Sequence, residues 1–241
     1  MRGSGFRHGL AALAAAGLIA GCRPAEDPAE VAAREAARRE AAAAPARQVF
    51  DQALAEGKWE VAWAQAEFLR REHAGTEALA GIEGRLEEVE AKAKSARTER
   101  RLKALWDYQD NPAGKGRQLT AAIDSRSRIE IDGGRSPVKL IFRDHPEWGR
   151  SSYLVLERGD FDCHRGCRLK LTVDGQARSL RGSRPDTDEA IAMFITDEKA
   201  LWRLFKSAKE VSIEFPVKPS GTRTAVFESG GLDAERMPGW N

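Results

Sequence analysis

The sequence predicts an α+β protein: an N-terminal helical hairpin and long helix, then a mostly antiparallel β-domain, sandwich- or barrel-like, with one packed helix. Apolar residues recur at helical spacing from residue 49 to residue 96. Short β-type runs follow the breaker cluster at residues 111–114, and one amphipathic segment interrupts them. These patterns divide the chain into residues 1–21, 22–46, 47–107, 108–235 and a tail, 236–241.

Residues 1–21 are typical of an export signal. Arg2 and Arg7 form a positive head, and the apolar stretch from Leu10 to Ala20 is too short to span a bilayer. Its end, Ile19-Ala20-Gly21-Cys22, resembles the lipobox of bacterial lipoproteins. The resemblance implies cleavage before Cys22 and acylation of that cysteine.

An acylated Cys22 would make the lipid bilayer a binding partner. Each buried methylene of the acyl chains contributes about 0.8 kcal/mol, so several chains give a lasting anchor. Because Arg23 follows, rather than the aspartate that often retains lipoproteins in the inner membrane, we expect outer-membrane anchoring facing the periplasm. The alternative is a cleaved signal followed by an ordinary cysteine.

The charge of the chain is balanced. The chain has 39 basic and 37 acidic residues, and removal of the signal with its two arginines leaves equal numbers. Binding of a polyanion normally needs a concentrated basic face, which the sequence does not display. Nucleic acid is therefore not expected as a partner.

Residues 22–46 are rich in Ala, Glu and Arg and lack a wide apolar stripe. This composition predicts a tether that fluctuates between coil and lone helix. The alternative is a helix that binds a partner.

Residues 47–107 carry a sharper helical pattern. Gly57 separates a first apolar face from a second that contains Trp59 and Trp63. The run G-x-W-x-x-A-x-x-x-A resembles part of one tetratricopeptide repeat, but at least three repeats are needed for a binding groove. We expect a helical hairpin, with Trp59 and Trp63 as a candidate surface for a protein partner.

A longer helix is predicted from Glu77 to Asp107. Its apolar residues alternate in steps of three and four: Leu79, Ile82, Leu86, Val89, Ala93 and Ala96. The rhythm fails at Arg100 and Lys103. We expect this helix to pack against the hairpin, and a coiled-coil homodimer is the alternative.

Eight β-type runs predict the β-domain: LTAAIDS, RIEI, VKLIFR, SYLVLE, RLKLTV, AIAMFI, EVSIEF and TAVFES. Thr196 and Asp197 cap the one predicted helix, whose core stripe is Leu201, Leu204, Phe205 and Ala208.

Cys163 and Cys167 flank His164-Arg165-Gly166, which has the composition of a three-residue hairpin loop. Residues that face each other across a hairpin lie within disulfide distance, and the periplasm is oxidising. We therefore predict a disulfide. A redox pair would need Cys-x-x-Cys at a helix start, and a zinc site would need further ligands, so no metal is predicted.

The segments GDFDC, CRLKLTVDG and TAVFESGGLDA, with the helix between them, resemble a small β-domain of uncharacterised Gram-negative envelope proteins. More distantly they are similar to a periplasmic accessory protein of type VI secretion. The resemblance covers residues 106–235 and supplies no catalytic residues.

The sequence also contains two acid pairs, Asp160 with Asp162 and Asp186 with Asp188, and three arginines, Arg178, Arg181 and Arg184, near one another. We interpret both sets as solvated charges, since no catalytic motif accompanies them. For the arginines, the alternative is a basic patch that contacts lipid A or another anionic component of the envelope. The expected function is a lipid-anchored periplasmic module that binds or scaffolds a protein partner without catalysis or cofactors. The alternative is an enzyme that acts on peptidoglycan through carboxylates of the β-domain.

Overall fold

The computed structural model of the chain describes residues 27–186, 191–219 and 221–240. The predicted export signal, the lipobox and Cys22 lie outside these residues. The predicted fold class is confirmed: a helical region precedes a mostly antiparallel sheet domain that contains one further helix.

The first helix, α1, spans Pro28–Ala55. The side chain of Asp27 accepts a hydrogen bond from the backbone N–H of Ala29 at 2.9 Å, and Pro28 is favourable at the first helical position. Residues 28–46, expected as a fluctuating tether, are thus helical in the structure. Packing already begins at Ala43, which is buried, because small side chains let a neighbouring helix approach closely.

Three further helices complete the N-terminal region: α2 is Trp59–Glu72, α3 is Glu77–Ala80 and α4 is Leu86–Lys103. The prediction of one long helix from Glu77 to Asp107 is wrong in two ways. A 3-10 turn at Glu83–Arg85 separates α3 from α4, and the chain leaves the helix at Lys103.

The helical region has its own core, built where α1, α2 and α4 meet. Phe50, Leu69, Ile82 and Val89 are fully buried there. The apolar seam that suggested a coiled coil therefore faces α1 and α2 within the same chain. A homodimer through this seam stays an alternative that would require this packing to open.

In the described part of the chain twelve strands follow, β1 to β12 in chain order: Trp106–Ala113, Gly116–Asp124, Ile129–Ile131, Gly134–Ser136, Val138–His145, Gly149–Leu156, Asp160–Phe161, Cys167–Val173, Gln176–Ser183, Ala192–Ile195, Val211–Lys218 and Gly221–Phe227. Strands β3 and β4 form a separate hairpin. The main sheet has the order β1-β2-β5-β6-β10-β9-β8-β11-β12, with β7 also paired to β11, and every ladder is antiparallel.

The last helix, α5, spans Glu198–Ser207 and packs against the inner face of the sheet. Leu201, Phe205 and Ala208 are buried, as the predicted core stripe requires, and Leu204 packs against the same cluster. Strands from both ends of the sheet contribute to this single core, so the sheet curls around α5. Phe142 of β5 lies at its centre, with its ring centroid 5.0 Å from that of Trp202.

The helical region contacts the segment that follows β12. The guanidinium of Arg101 donates to both carboxylate oxygens of Glu228, at 3.0 and 2.8 Å. Gly231 lies against the backbone of Leu102 so closely that any side chain at this position would collide with it.

Asp174 fixes the turn between β8 and β9 to the start of β11. Its carboxylate accepts the backbone N–H groups of Lys209 and Glu210, at 3.1 and 2.9 Å. These hydrogen bonds, that from Glu210 first, lower the pKa of Asp174 because they stabilise its charged form.

Candidate binding surface on the outer face of the sheet

The predicted disulfide between Cys163 and Cys167 is present, with the two Cα atoms 5.1 Å apart. The predicted hairpin is not. Phe161 of β7 pairs with Val217 of β11, and Lys170 of β8 pairs with Glu214 of the same strand. Both β7 and β8 are antiparallel to β11 on the same side, so the chain bulges out between them and returns in the same direction. The disulfide closes this bulge, and we call residues 162–166, which lie between β7 and β8, the disulfide loop.

The tip of the disulfide loop is a tight turn. The backbone N–H of Gly166 donates to the carbonyl of Cys163 at 3.1 Å. Gly166 has a φ of 93°, in the left-handed region that its composition predicted, and Arg165 also has a positive φ, 60°. A positive φ is uncommon for a residue with a side chain.

The three arginines that lie close together in sequence are separated in space. The side chain of Arg184 is only 2% exposed and donates to Asp160 at 2.6 Å and to the carbonyl of Phe161 at 3.2 Å. Arg178 donates to Gln176 near the β8–β9 turn. Of the three, Arg181 alone lies on the groove described below.

The acid pairs also differ from one another. The carboxylate of Asp160 is held by Arg184 and, at 3.4 Å, by Lys218, so it belongs to a structural ion pair. Asp162 is exposed, and Asp186 lies 3.7 Å from His164. Asp188 lies outside the described residues. Residues 27–186, 191–219 and 221–240 contain no group of three or more His, Cys, Asp or Glu side chains suited to a metal ion.

Trp59 and Trp63 are both half-buried. Trp63 packs against the helical core, and the ammonium of Lys92 lies 4.0 Å from the ring centroid of Trp59. Only part of each ring is therefore available for a partner.

The outer face of the sheet carries a row of apolar side chains that sequence reasoning missed. Ile141 of β5, Tyr153 of β6 and Phe194 of β10 stand directly beside one another across three strands. All three are half-buried, and the rings of Tyr153 and Phe194 have centroids 5.3 Å apart. Burial raises the pKa of Tyr153, so its hydroxyl stays neutral. We call these three residues the aromatic row.

Cationic and aromatic groups extend the aromatic row toward the β5–β6 turn. The guanidinium of Arg143 lies 5.6 Å from the ring centroid of Tyr153 and 5.4 Å from that of Trp148. Trp148 is 69% exposed and stacks on His145 with centroids 4.0 Å apart. The surface thus combines exposed aromatic area with a positive charge.

A polar groove adjoins the aromatic row on the same face. Ser183 of β9 pairs with Phe194, and beyond it lie Arg181 of β9 and Arg168 of β8. Together with the disulfide loop they enclose a groove of about 560 Å³, which we call the arginine groove; it is lined by Arg165, Gly166, Cys167, Arg168, Arg181, Gly182, Ser183 and Thr196.

Comparison of the chain with protein-family models, curated proteins and solved structures gave no match. The resemblances to a lipoprotein, to the envelope β-domain and to a tetratricopeptide repeat therefore stay predictions. Among the described helices, none is long and apolar enough to cross a membrane.

Proposed function

We propose that the chain is a non-enzymatic binding module of the bacterial envelope. In this proposal an acylated Cys22 anchors it to the outer membrane facing the periplasm, and the outer face of the sheet docks a protein partner.

The observation that carries the proposal is the aromatic row with Arg143 and Trp148 beside it. An antiparallel sheet that faces water on one side usually places polar residues on that side. Here Ile141, Tyr153 and Phe194 occupy it instead. Residues that contribute most to protein–protein binding are enriched in Trp, Tyr and Arg, the types that this surface presents.

The alternative, an enzyme acting on peptidoglycan, depends on carboxylates of the β-domain. The pairing of Asp160 with Arg184 and Lys218 ties up one of the candidate acids in the fold. Binding requires only the surface described above, so we favour it.

Site-specific photocrosslinking in intact cells tests the proposal. A photoreactive phenylalanine analogue replaces Trp148, Phe194, Trp59 or Trp63, one at a time, in the tagged full chain, and Phe68 of α2 serves as the matched control. Phe68 is an aromatic residue, 38% exposed, in the helical region. We expect the same discrete protein adduct from positions 148 and 194, none from position 68, and loss of the adduct in a Cys22→Ala variant.

Adducts from positions 59 and 63 alone would move the partner surface to the helical region and overturn the role of the sheet. Equal adducts from all positions would show random collision, which also contradicts the proposal. Release of soluble fragments from purified peptidoglycan by the full chain, abolished by Asp162→Asn, would establish the enzymatic alternative instead.

A further inference from the structure

The arginine groove brings two like charges into direct opposition. Arg168 of β8 and Arg181 of β9 are ladder partners, and both side chains point to the exposed face of the sheet. Side chains directly opposite each other on antiparallel strands have Cβ atoms about 4.5–5.5 Å apart, and like charges in such pairs are destabilising. The register of β8 and β9 therefore places two cationic side chains side by side, which costs the fold some stability.

Acidic residues of the fold do little to relieve this repulsion. The side chains of Arg165 and Arg168 make no hydrogen bond or ion pair with any residue in the described ranges. Arg181 approaches Asp197 at 3.7 Å, a long contact, and its side chain is 78% exposed. Among the residues that the structure describes, these three cationic groups thus face one carboxylate, that of Asp197.

The backbone conformation of Arg165 is a second indication that the groove has a function. A φ near 60° is unfavourable for a residue with a side chain, and glycine would be the usual residue in this turn. A strained position that carries a charged side chain is a reason to suspect a function. The turn lies within the loop that the disulfide closes, and it places Arg165 among the residues that line the groove.

We propose that the arginine groove binds a phosphate monoester group, with Arg165, Arg168 and Arg181 as its ligands. A monoester carries close to two negative charges at pH 7, which matches the excess of cations over Asp197. Guanidinium groups bind phosphate oxygens in a bidentate manner, which a pair of arginines on neighbouring strands can do from two sides.

The hydroxyls of Ser183 and Thr196 line the same groove as further donors. Its volume, about 560 Å³, is typical of small-ligand sites. This site does not depend on the proposed protein partner.

An NMR titration of the full chain, reconstituted in nanodiscs of phosphatidylcholine, tests the site. Inorganic phosphate replaces chloride at constant ionic strength, and the Nε–Hε signals of the arginines are followed. We expect saturable shifts for the three groove arginines. Arg168→Gln removes one charge-assisted partner and should weaken binding by roughly ten- to a hundredfold. Arg178→Gln, on the same strand as Arg181 but outside the groove, should leave the affinity unchanged.

A second variant, Arg165→Gly, separates binding from folding. Glycine adopts the positive φ without strain, so the variant should melt at a higher temperature while phosphate affinity falls. Unchanged affinity in this variant would remove Arg165 from the site. Shifts that never saturate, or an equal loss of affinity in Arg178→Gln, would overturn the proposal.

A further measurement with a different lipid composition identifies the molecule that bears the phosphate group. If nanodiscs that also contain phosphatidic acid shift the same three signals without added phosphate, the monoester is borne by a lipid. If they do not, while inorganic phosphate saturates the site, the ligand is a soluble phosphate compound. Saturable binding of a glutamate-rich peptide in the absence of phosphate binding would instead assign the groove to an acidic protein segment and refute the proposal.

Discussion

Reduction of the disulfide should cost the fold a small and calculable amount of stability. The bond joins residues four apart in sequence, so it closes a loop of only five residues. In the chain-entropy model, such a loop stabilises the folded state by about 2 kcal/mol, because it removes little freedom from the unfolded chain. Both flanks of the loop are held independently by pairing with β11, so reduction should not unfold the sheet.

Urea unfolding of the full chain, with and without reductant, measures this difference. A loss of about 2 kcal/mol corresponds to a fall in melting temperature of roughly 4–8 °C for a chain of this size. The Cys163→Ala/Cys167→Ala double variant is the control, and its midpoint should not respond to reductant.

Two results would refute the reasoning. A loss above about 4 kcal/mol would mean that the disulfide holds β7 on β11, so that more than loop entropy is removed. No loss at all would mean that the reduced loop keeps its shape through the Gly166–Cys163 turn alone.

Three further substitutions test the packing and the electrostatics of the fold. Phe50→Ala should destabilise the helical region by about 3–5 kcal/mol, measured by urea unfolding, because Phe50 is fully buried in its core. Arg184→Met should cost about 3 kcal/mol in the same assay, since it leaves Asp160 and the carbonyl of Phe161 without their buried donor. Asp174→Asn should lower stability at pH 7 and flatten the acid limb of the melting-temperature profile. The folded pKa of Asp174 is lowered, so its contribution is complete above its unfolded pKa, about 3.9, and is lost as the pH falls through the folded pKa. An equally steep acid limb in this variant would contradict that role.

The elements that the sequence predicted well are those whose signals are local. Helix α5 has an apolar stripe within ten residues, and its burial agrees with that stripe. The predicted side-chain cap is absent: Asp197 precedes the helix, but its carboxylate accepts the backbone N–H of Arg181 on the neighbouring strand instead. Each of the eight β-type runs overlaps a strand, because alternation and turn residues are visible over short windows. The disulfide was predicted for the right cysteines because few cysteines were available.

The elements that were missed depend on partners distant in sequence. Strand β1 was assigned to a helix and a breaker cluster, yet Pro112 is acceptable in an edge strand, where one side of the backbone has no ladder partner. Strand β9 is rich in arginine and glycine, and its pairing with β8 and β10 decides its conformation. The hairpin prediction failed because β11, the true partner of β7, lies more than 50 residues away.

Of the two candidate surfaces, the aromatic row has a signal in the sequence and the arginine groove has none. The runs SYLVLE and AIAMFI are apolar at consecutive positions, which predicts strands covered on both faces and so marks the aromatic row. The arginine groove had no such signal. Its residues come from the disulfide loop and two strands, and the opposition of Arg168 to Arg181 appears only once the register is known.

The way the chain enters and leaves the disulfide loop makes this loop independent of the rest of the sheet. Since β7 and β8 are each paired with β11, residues can be inserted or deleted between Cys163 and Cys167, where no residue belongs to a strand, without shifting any pair of the sheet. The loop residues at the edge of the arginine groove can therefore vary in sequence and length while the core of the sheet stays the same, as is usual for binding loops on a rigid scaffold. Grafting foreign loops between these two anchor points would also be a practical route to new binding specificities.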